Sequence, residues 1–179
     1  MRRRDRLRHV ANWLNLSTPV GLLVAGAGGA RVTRRPDGII VAEGYRFGFP
    51  VAGAFTIGDV VTTASTMERL EARTPGVYAH EVRHAWQYAA TGVWFLPAYL
   101  LCSGWSLART GHPAHANILE RHAGLVTGGY ALADGTRLGG VWTLRGRPGL
   151  TGLLRRSRST SGAARSGSAG GAPAAGAGA

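Results

Sequence analysis

Thr74-Pro75-Gly76-Val77-Tyr78-Ala79-His80-Glu81-Val82-Arg83-His84-Ala85-Trp86-Gln87-Tyr88-Ala89-Ala90-Thr91-Gly92 is the stretch from which the fold and chemistry of this chain are read. Thr74 is an N-cap residue type, Pro75 suits the first helical position and Gly92 suits a stop, so the spacing predicts a helix over residues 75–90. Residues four apart on a helix are neighbours, so His80 and His84 reach one Zn2+ together while Glu81 lies beside them without being a ligand. Two imidazoles and a carboxylate in this pattern are the core of a zinc hydrolase site, with Glu81 as general base. The plain alternative is a buried helix with two incidental histidines. Burying two imidazoles and a carboxylate on one face without a shared partner is costly, which weighs against it. Tyr88 continues the His80–His84 stripe, with Gln87 and Glu81 at its edge. Arg83 lies off that face and is read as a solvated or salt-bridged residue.

Catalytic zinc usually has three protein ligands and an open position, so a third ligand is needed. Glu120 is the candidate, in Asn117-Ile118-Leu119-Glu120-Arg121-His122-Ala123-Gly124, where Pro113 opens a helix and Gly124 ends it. His112, His115 and His122 cluster nearby and each could replace it, although histidines around a helix start are more often bystanders. His122 is two residues from Glu120 and points elsewhere on the helix. Tyr88 and Tyr130 are candidate donors to a tetrahedral oxyanion, against the ordinary reading of packing tyrosines.

At Glu120-Arg121-His122-Ala123-Gly124 the chain resembles the gluzincin side of the zincin metallopeptidases, in which a downstream helix supplies a glutamate ligand, often as E-x-x-A-D. Gly124 stands where that pattern has its last acid, so Asp134 or a backbone carbonyl has to orient a ligand histidine here. Upstream, Ala54-Phe55-Thr56-Ile57-Gly58-Asp59-Val60-Val61-Thr62 resembles the strand before the active-site helix in a bacterial family of minimal zincin-like domains, and the likeness spans roughly residues 50 to 125. The resemblance implies a peptidase with one Zn2+ per chain, held by His80, His84 and Glu120. It also implies a peptide or protein substrate that pairs with this strand by β-augmentation. Its β-branched residues alone say only an ordinary core strand.

The coarse order is strand-rich then helix-rich. Asp37-Gly38 and Gly44 mark turns around Ile39-Ile40-Val41-Ala42 and the period-two aromatics of Tyr45-Arg46-Phe47-Gly48-Phe49; the strand at residues 54–62 follows, and then three helices. That order predicts an α+β domain: a small, mainly antiparallel sheet packed on a metal-bearing active-site helix and a second ligand helix, zincin-like on the resemblance. Asp134-Gly135 and Val141-Trp142-Thr143-Leu144 suggest a last turn and strand.

The 179 residues, 45% hydrophobic, divide into a basic segment at 1–17, the domain at 18–145 and an Arg/Gly/Ser/Ala-rich tail at 146–179 expected to be disordered. Charge sits at the ends. Arg2, Arg3, Arg4, Arg6 and Arg8 against Asp5 give +4, and Arg155, Arg156, Arg158 and Arg165 another +4, of a formal +12. Every basic residue is Arg, and no nucleic-acid fold motif or interleaved aromatic pattern accompanies them, so nucleic acid is disfavoured as a partner. Contact with an anionic membrane surface through the basic ends and the apolar segment at 93–108 stays open.

Residues 88–108 carry no charge and are long enough on paper to span a bilayer. A single crossing there would put His80 and His84 on one side and Glu120 on the other, so a buried helix over about residues 95–108, or a shallow interfacial one held by Trp94, Tyr99 and Trp105, fits better. The run at residues 20–30 superficially has a signal peptide's cleavage pattern, but Asn12, Asn15, Ser17, Thr18 and Pro19 interrupt the apolar core, so an uncleaved segment packing on the domain is expected. The expected location is cytoplasmic, with peripheral contact with the membrane left open. Cys102 is the sole cysteine and is expected in the core. Two rivals to the peptidase remain: a catalytically silent metal-binding module, and a basic adaptor for anionic lipid or nucleic acid.

Overall fold

The computed structural model describes residues 1–48 and 53–130. In chain order these form α1 (Arg3–Leu14), α2 (Ser17–Ala27), β1 (Arg31–Arg34), β2 (Ile40–Glu43), β3 (Phe55–Ile57), β4 (Val60–Thr63), α3 (Met67–Arg73), α4 (Val77–Thr91), a 3-10 turn (Gly92–Trp94), α5 (Phe95–Thr110) and α6 (Ile118–Ala123). The architecture is α+β, with a mixed sheet in the order β1-β2-β4-β3. The two outer pairings are antiparallel, whereas β2 and β4 run parallel with Ile40 opposite Val60. Asp134, the strand expected at 141–144 and the 146–179 tail lie outside the described residues.

Alternation along β2 and β4 sends side chains to both faces of the sheet. On one face Ile39, Val41 and Val61 pack with Met67 and Leu70 of α3 and Val77 of α4; on the other, Ala42 and Val60 meet Ala25 of α2. Each fully buried Val or Ile contributes about 1.5–3 kcal/mol by leaving water. At Gly21 of α2 a Cβ would lie 2.4 Å from the Ile57 carbonyl oxygen, so only glycine lets that helix approach β3 so closely.

Several expected elements differ. Residues 54–62 are a hairpin, not one strand, because Gly58 turns the chain at φ +62° and Asp59 is drawn fully into the interior. No strand forms at 45–48, where Tyr45 N–H bonds Thr63 and Arg46 N–H bonds Gly28, two different segments; Phe49 lies outside the described residues. The histidine-bearing helix begins at Val77, since Gly76 at φ +88° caps it and Pro75 lies in the preceding turn. Pro113 likewise precedes α6, which is capped by Asn117 accepting from Leu119 N–H. Gly92 does end α4, but α5 starts three residues later.

The N-terminal region folds as two helices that pack on the domain. Asp59, at the β3–β4 turn, accepts from Arg8 Nε at 2.8 Å and from Asn12 Nδ2 at 2.9 Å, and lies 2.7 Å from His9 Nδ1. Asn12 also donates to the Ala85 carbonyl of α4. A buried carboxylate holding a fully buried guanidinium thus fastens α1 to the sheet turn and to α4.

Candidate metal centre

α4 buries two faces. Val77, Glu81 and Ala85 turn to the sheet and α3, while His80, His84 and Gln87 turn to α5 and α6. α6 brings Glu120 opposite, 1% exposed, with Oε2 at 3.3 Å from His80 Nε2 and Oε1 at 3.7 Å from His84 Nε2. Two hydrogen bonds position α6: Arg83 Nη1 donates to the Ala123 carbonyl at 2.6 Å, and Gln87 Nε2 to the Leu119 carbonyl at 3.0 Å. Arg83 is exposed, as expected of a residue off the ligand face, and its guanidinium also clamps α4 to α6.

The proton positions follow from the partners. His80 Nδ1 faces the Gly124 carbonyl at 3.0 Å, and a carbonyl only accepts, so Nδ1 carries the hydrogen. His84 Nδ1 faces Gln87 Oε1 at 2.7 Å, with that amide's orientation fixed by its donation to Leu119. His84 Nδ1 therefore carries its hydrogen too. In both neutral rings the Nε2 lone pair is left bare, and these two atoms lie 3.0 Å apart. Glu120 Oε2, buried without a hydrogen-bond partner, completes a set of three electron-pair donors. Only a cation or an added proton can hold such a set together. Ligand atoms bound tetrahedrally at about 2.0–2.1 Å stand roughly 3.3 Å apart, close to the 3.0 Å between the two imidazoles and the 3.3 Å from His80 to Oε2, and the three ligand atoms all lie within 4.8 Å of one another. The group can therefore hold a metal ion.

Electrostatics agree with the added proton in the metal-free chain. Burial works against a charged His84, but its hydrogen bond with Glu120 and the charges of Glu81 and Glu120 outweigh it and raise its pKa above 6.5. For Glu120, burial alone would raise the carboxyl; the facing imidazoles of His80 and His84, one of them carrying the added proton, and the donor Tyr99 instead hold it well below the ordinary range.

Glu81 is buried beside this set, and Thr56 Oγ1 on β3 donates to its Oε2 at 2.6 Å. Tyr130 stands edge-on to His80, its phenol kept protonated by burial and by the Glu120 charge. Tyr88 packs its ring on Phe95 with centroids 4.3 Å apart, and burial pushes its phenol up to about 12. The phenol that reaches the centre from α5 is Tyr99, which donates to Glu120 Oε1 at 2.5 Å and so is not an interfacial anchor. His122 sits behind Gln87, with Nδ1 at 3.1 Å from Nε2, and His112 and His115 stack on each other at 4.0 Å. A Cβ on Gly128 would fall 2.6 Å from His80 Cε1, so the chain after α6 closes over that ring.

Sequence reading missed Thr56, Tyr99 and the orienting role of Gln87. Gln87 at i+3 from His84 was the available signal; Tyr99 and Thr56 are distant in sequence and carry none. The orienting group for His80 is the Gly124 backbone carbonyl, one of the two options expected. Cys102 is half-buried, not a core residue. Among the described residues no helix is long and apolar enough to cross a membrane. A scan against protein-family models, a search of curated proteins and a search of solved structures each find no match to this chain.

Proposed function

We propose that the chain is a minimal zincin-like hydrolase that cleaves peptide bonds with one Zn2+ held by His80, His84 and Glu120. The observation that carries this reading is the convergence of three bare donor atoms beside a carboxylate that is not one of them. Zinc bound there would supply Lewis acidity and draw the pKa of its water towards roughly 7. Glu81, buried next to the ligand set in sequence and not part of it, would serve as the general base that holds the proton and returns it to the leaving amine. Thr56 aims the Glu81 carboxylate by occupying one oxygen. Tyr130, edge-on to His80 with its phenol kept protonated, would donate to the developing oxyanion. β3 stands at the sheet's edge, where an extended peptide adds a strand and main-chain bonds supply affinity.

The burial of the donors, with Glu120 at 1% and His80 at 2% exposure, favours a second reading in which the metal is held but performs no catalysis. A pool of fluorogenic peptides separates the two. Hydrolysis that drops about 10²–10⁴-fold in Glu81→Gln, with zinc retained, supports the peptidase. Zinc binding with no hydrolysis by either protein supports the silent site.

A further inference from the structure

Helix α1 is inside-out, and α2 and α5 carry apolar side chains on their outward faces as well as their inward ones. α1 buries Asp5, Arg8 and Asn12 while exposing Leu7, Val10 and Leu14; α2 buries Ser17, Thr18, Gly21 and Ala25 while exposing Val20 and Leu23, and Leu16 just before it is exposed too. On α5 the fully buried positions are Phe95 and Ser106, while Leu100, Leu101 and Trp105 face outward. A helix on a water-facing protein turns its apolar stripe to the core. Single exposed leucines need no explanation, but apolar outward faces on three neighbouring helices do. The extremes are Leu14 at 79%, Leu23 at 73%, Trp94 at 75% and Leu101 at 76% exposure.

These faces meet at one corner. Asn15, between α1 and α2, donates to the Tyr88 carbonyl near the end of α4, and Gly92 lies directly against its side chain. The flanking residues Leu14, Leu16, Val93 and Trp94 are all exposed. Leu16 holds φ +64°, the one left-handed non-glycine among the described residues. A leucine there is strained, and strain at an exposed apolar tip points to use rather than packing.

Charge selects the occupant. Arg2, Arg3, Arg4 and Arg6 are exposed at the start of α1, and none of the three helices carries an exposed acid, since Asp5 is buried. A second copy would set like charges against one another. Trp13, Trp94 and Trp105, all exposed, are the amphipathic rings that sit at a headgroup boundary. A surface groove of about 900 Å3 adds apolar walls from Leu101, Trp105 and Ile118 with Arg121 beside them, suited to an acyl chain and an anionic headgroup. α1 and α2 are each shorter than the roughly 20 residues a crossing needs, so they lie on the bilayer.

We propose that α1, α2 and α5 form a docking face that rests in the interface of an anionic lipid bilayer, with the corner around Leu16 and Trp94 inserted. This is independent of the metal centre. The test is co-sedimentation of the full chain with vesicles of phosphatidylcholine alone and of phosphatidylcholine mixed with phosphatidylglycerol, with tryptophan emission followed in parallel. The expected result is binding to the mixed vesicles, a blue shift, and salt sensitivity. Arg3→Gln/Arg4→Gln/Arg6→Gln should weaken it about a hundredfold, at about fivefold per arginine. Leu14→Ser/Leu23→Ser/Trp94→Ser, at positions too open to hold the fold, should abolish the shift and most of the binding with an unchanged far-ultraviolet spectrum. Absence of binding to mixed vesicles would overturn the proposal. So would full binding by the Ser variant, which would assign it to the arginines alone, or a dimer in ultracentrifugation that the Ser variant converts to monomer, which would make a second copy the occupant.

Discussion

Gln87→Leu isolates the orientation of one ligand from the ligand itself. Gln87 Oε1 accepts from His84 Nδ1, fixing the tautomer that leaves Nε2 bare, while its Nε2 donates to the Leu119 carbonyl of the helix carrying Glu120. Leucine keeps the approximate volume and removes both functions. The stranded buried groups should cost the fold about 1–3 kcal/mol. Loss of an outer hydrogen bond to a metal-binding histidine should weaken the metal about 10–100-fold, or roughly 1.4–2.7 kcal/mol. Gln87→Glu is the control: it retains an acceptor for His84 but loses the donor to Leu119, so it should cost stability while metal affinity stays near native. Both are measured by competition for Zn2+ with a chromophoric chelator at fixed neutral pH, alongside urea unfolding. Native affinity in Gln87→Leu, or equal weakening in the two variants, would refute the assignment of His84 orientation to this amide.

Three further outcomes follow from the same structure. Asp59→Ala leaves the buried Arg8 guanidinium without its carboxylate and should lower unfolding free energy by about 3–5 kcal/mol in urea titration; a loss within experimental error would mean that the hub is incidental. Leu16→Gly should raise unfolding free energy by about 1 kcal/mol by relieving the left-handed leucine, and a destabilised variant would show that its side chain holds the α1–α2 corner. Zinc affinity should fall about tenfold per pH unit below the folded pKa of His84, which lies above 6.5, because the metal must displace a proton that the metal-free site favours. In the metal-free protein the sign is the reverse. The raised His84 pKa adds stability that is lost as pH rises through it, and the depressed Glu120 pKa adds stability lost only on strong acidification. A pH-independent zinc affinity between 5 and 8 would contradict this protonation picture.

Much of the centre was legible because helix geometry converts sequence spacing into distance. His80 and His84 at i,i+4 and a glutamate on a later short helix are local signals, and the structure brings all three together. Tyr99 was hidden because its role depends on how α5 folds back on α6, and nothing within an apolar run marks the one phenol that meets a carboxylate. Thr56 was read as one β-branched residue among several, since its partner lies across the sheet–helix packing.

The N-terminal helices failed to be read for a different reason. Asp5, Arg8 and Asn12 recur at helical spacing, so the periodicity was present, but periodicity gives a stripe without saying which stripe turns inward. The ordinary rule would bury Leu7, Val10 and Leu14. Here a buried carboxylate on the β3–β4 turn reverses the choice by satisfying the polar side. The same limit concealed the hairpin at residues 54–62, where one glycine and one buried aspartate divide an otherwise continuous β-branched run.

The central claim is that three bare donor atoms at His80, His84 and Glu120 hold one metal ion. Its most direct test is metal content by plasma mass spectrometry on the purified full chain after zinc reconstitution, compared with His84→Ala and Glu120→Ala. About one zinc per chain, lost in both variants, is the predicted result. Protein that binds no metal, or a Glu120→Ala variant that retains a full equivalent, would contradict it.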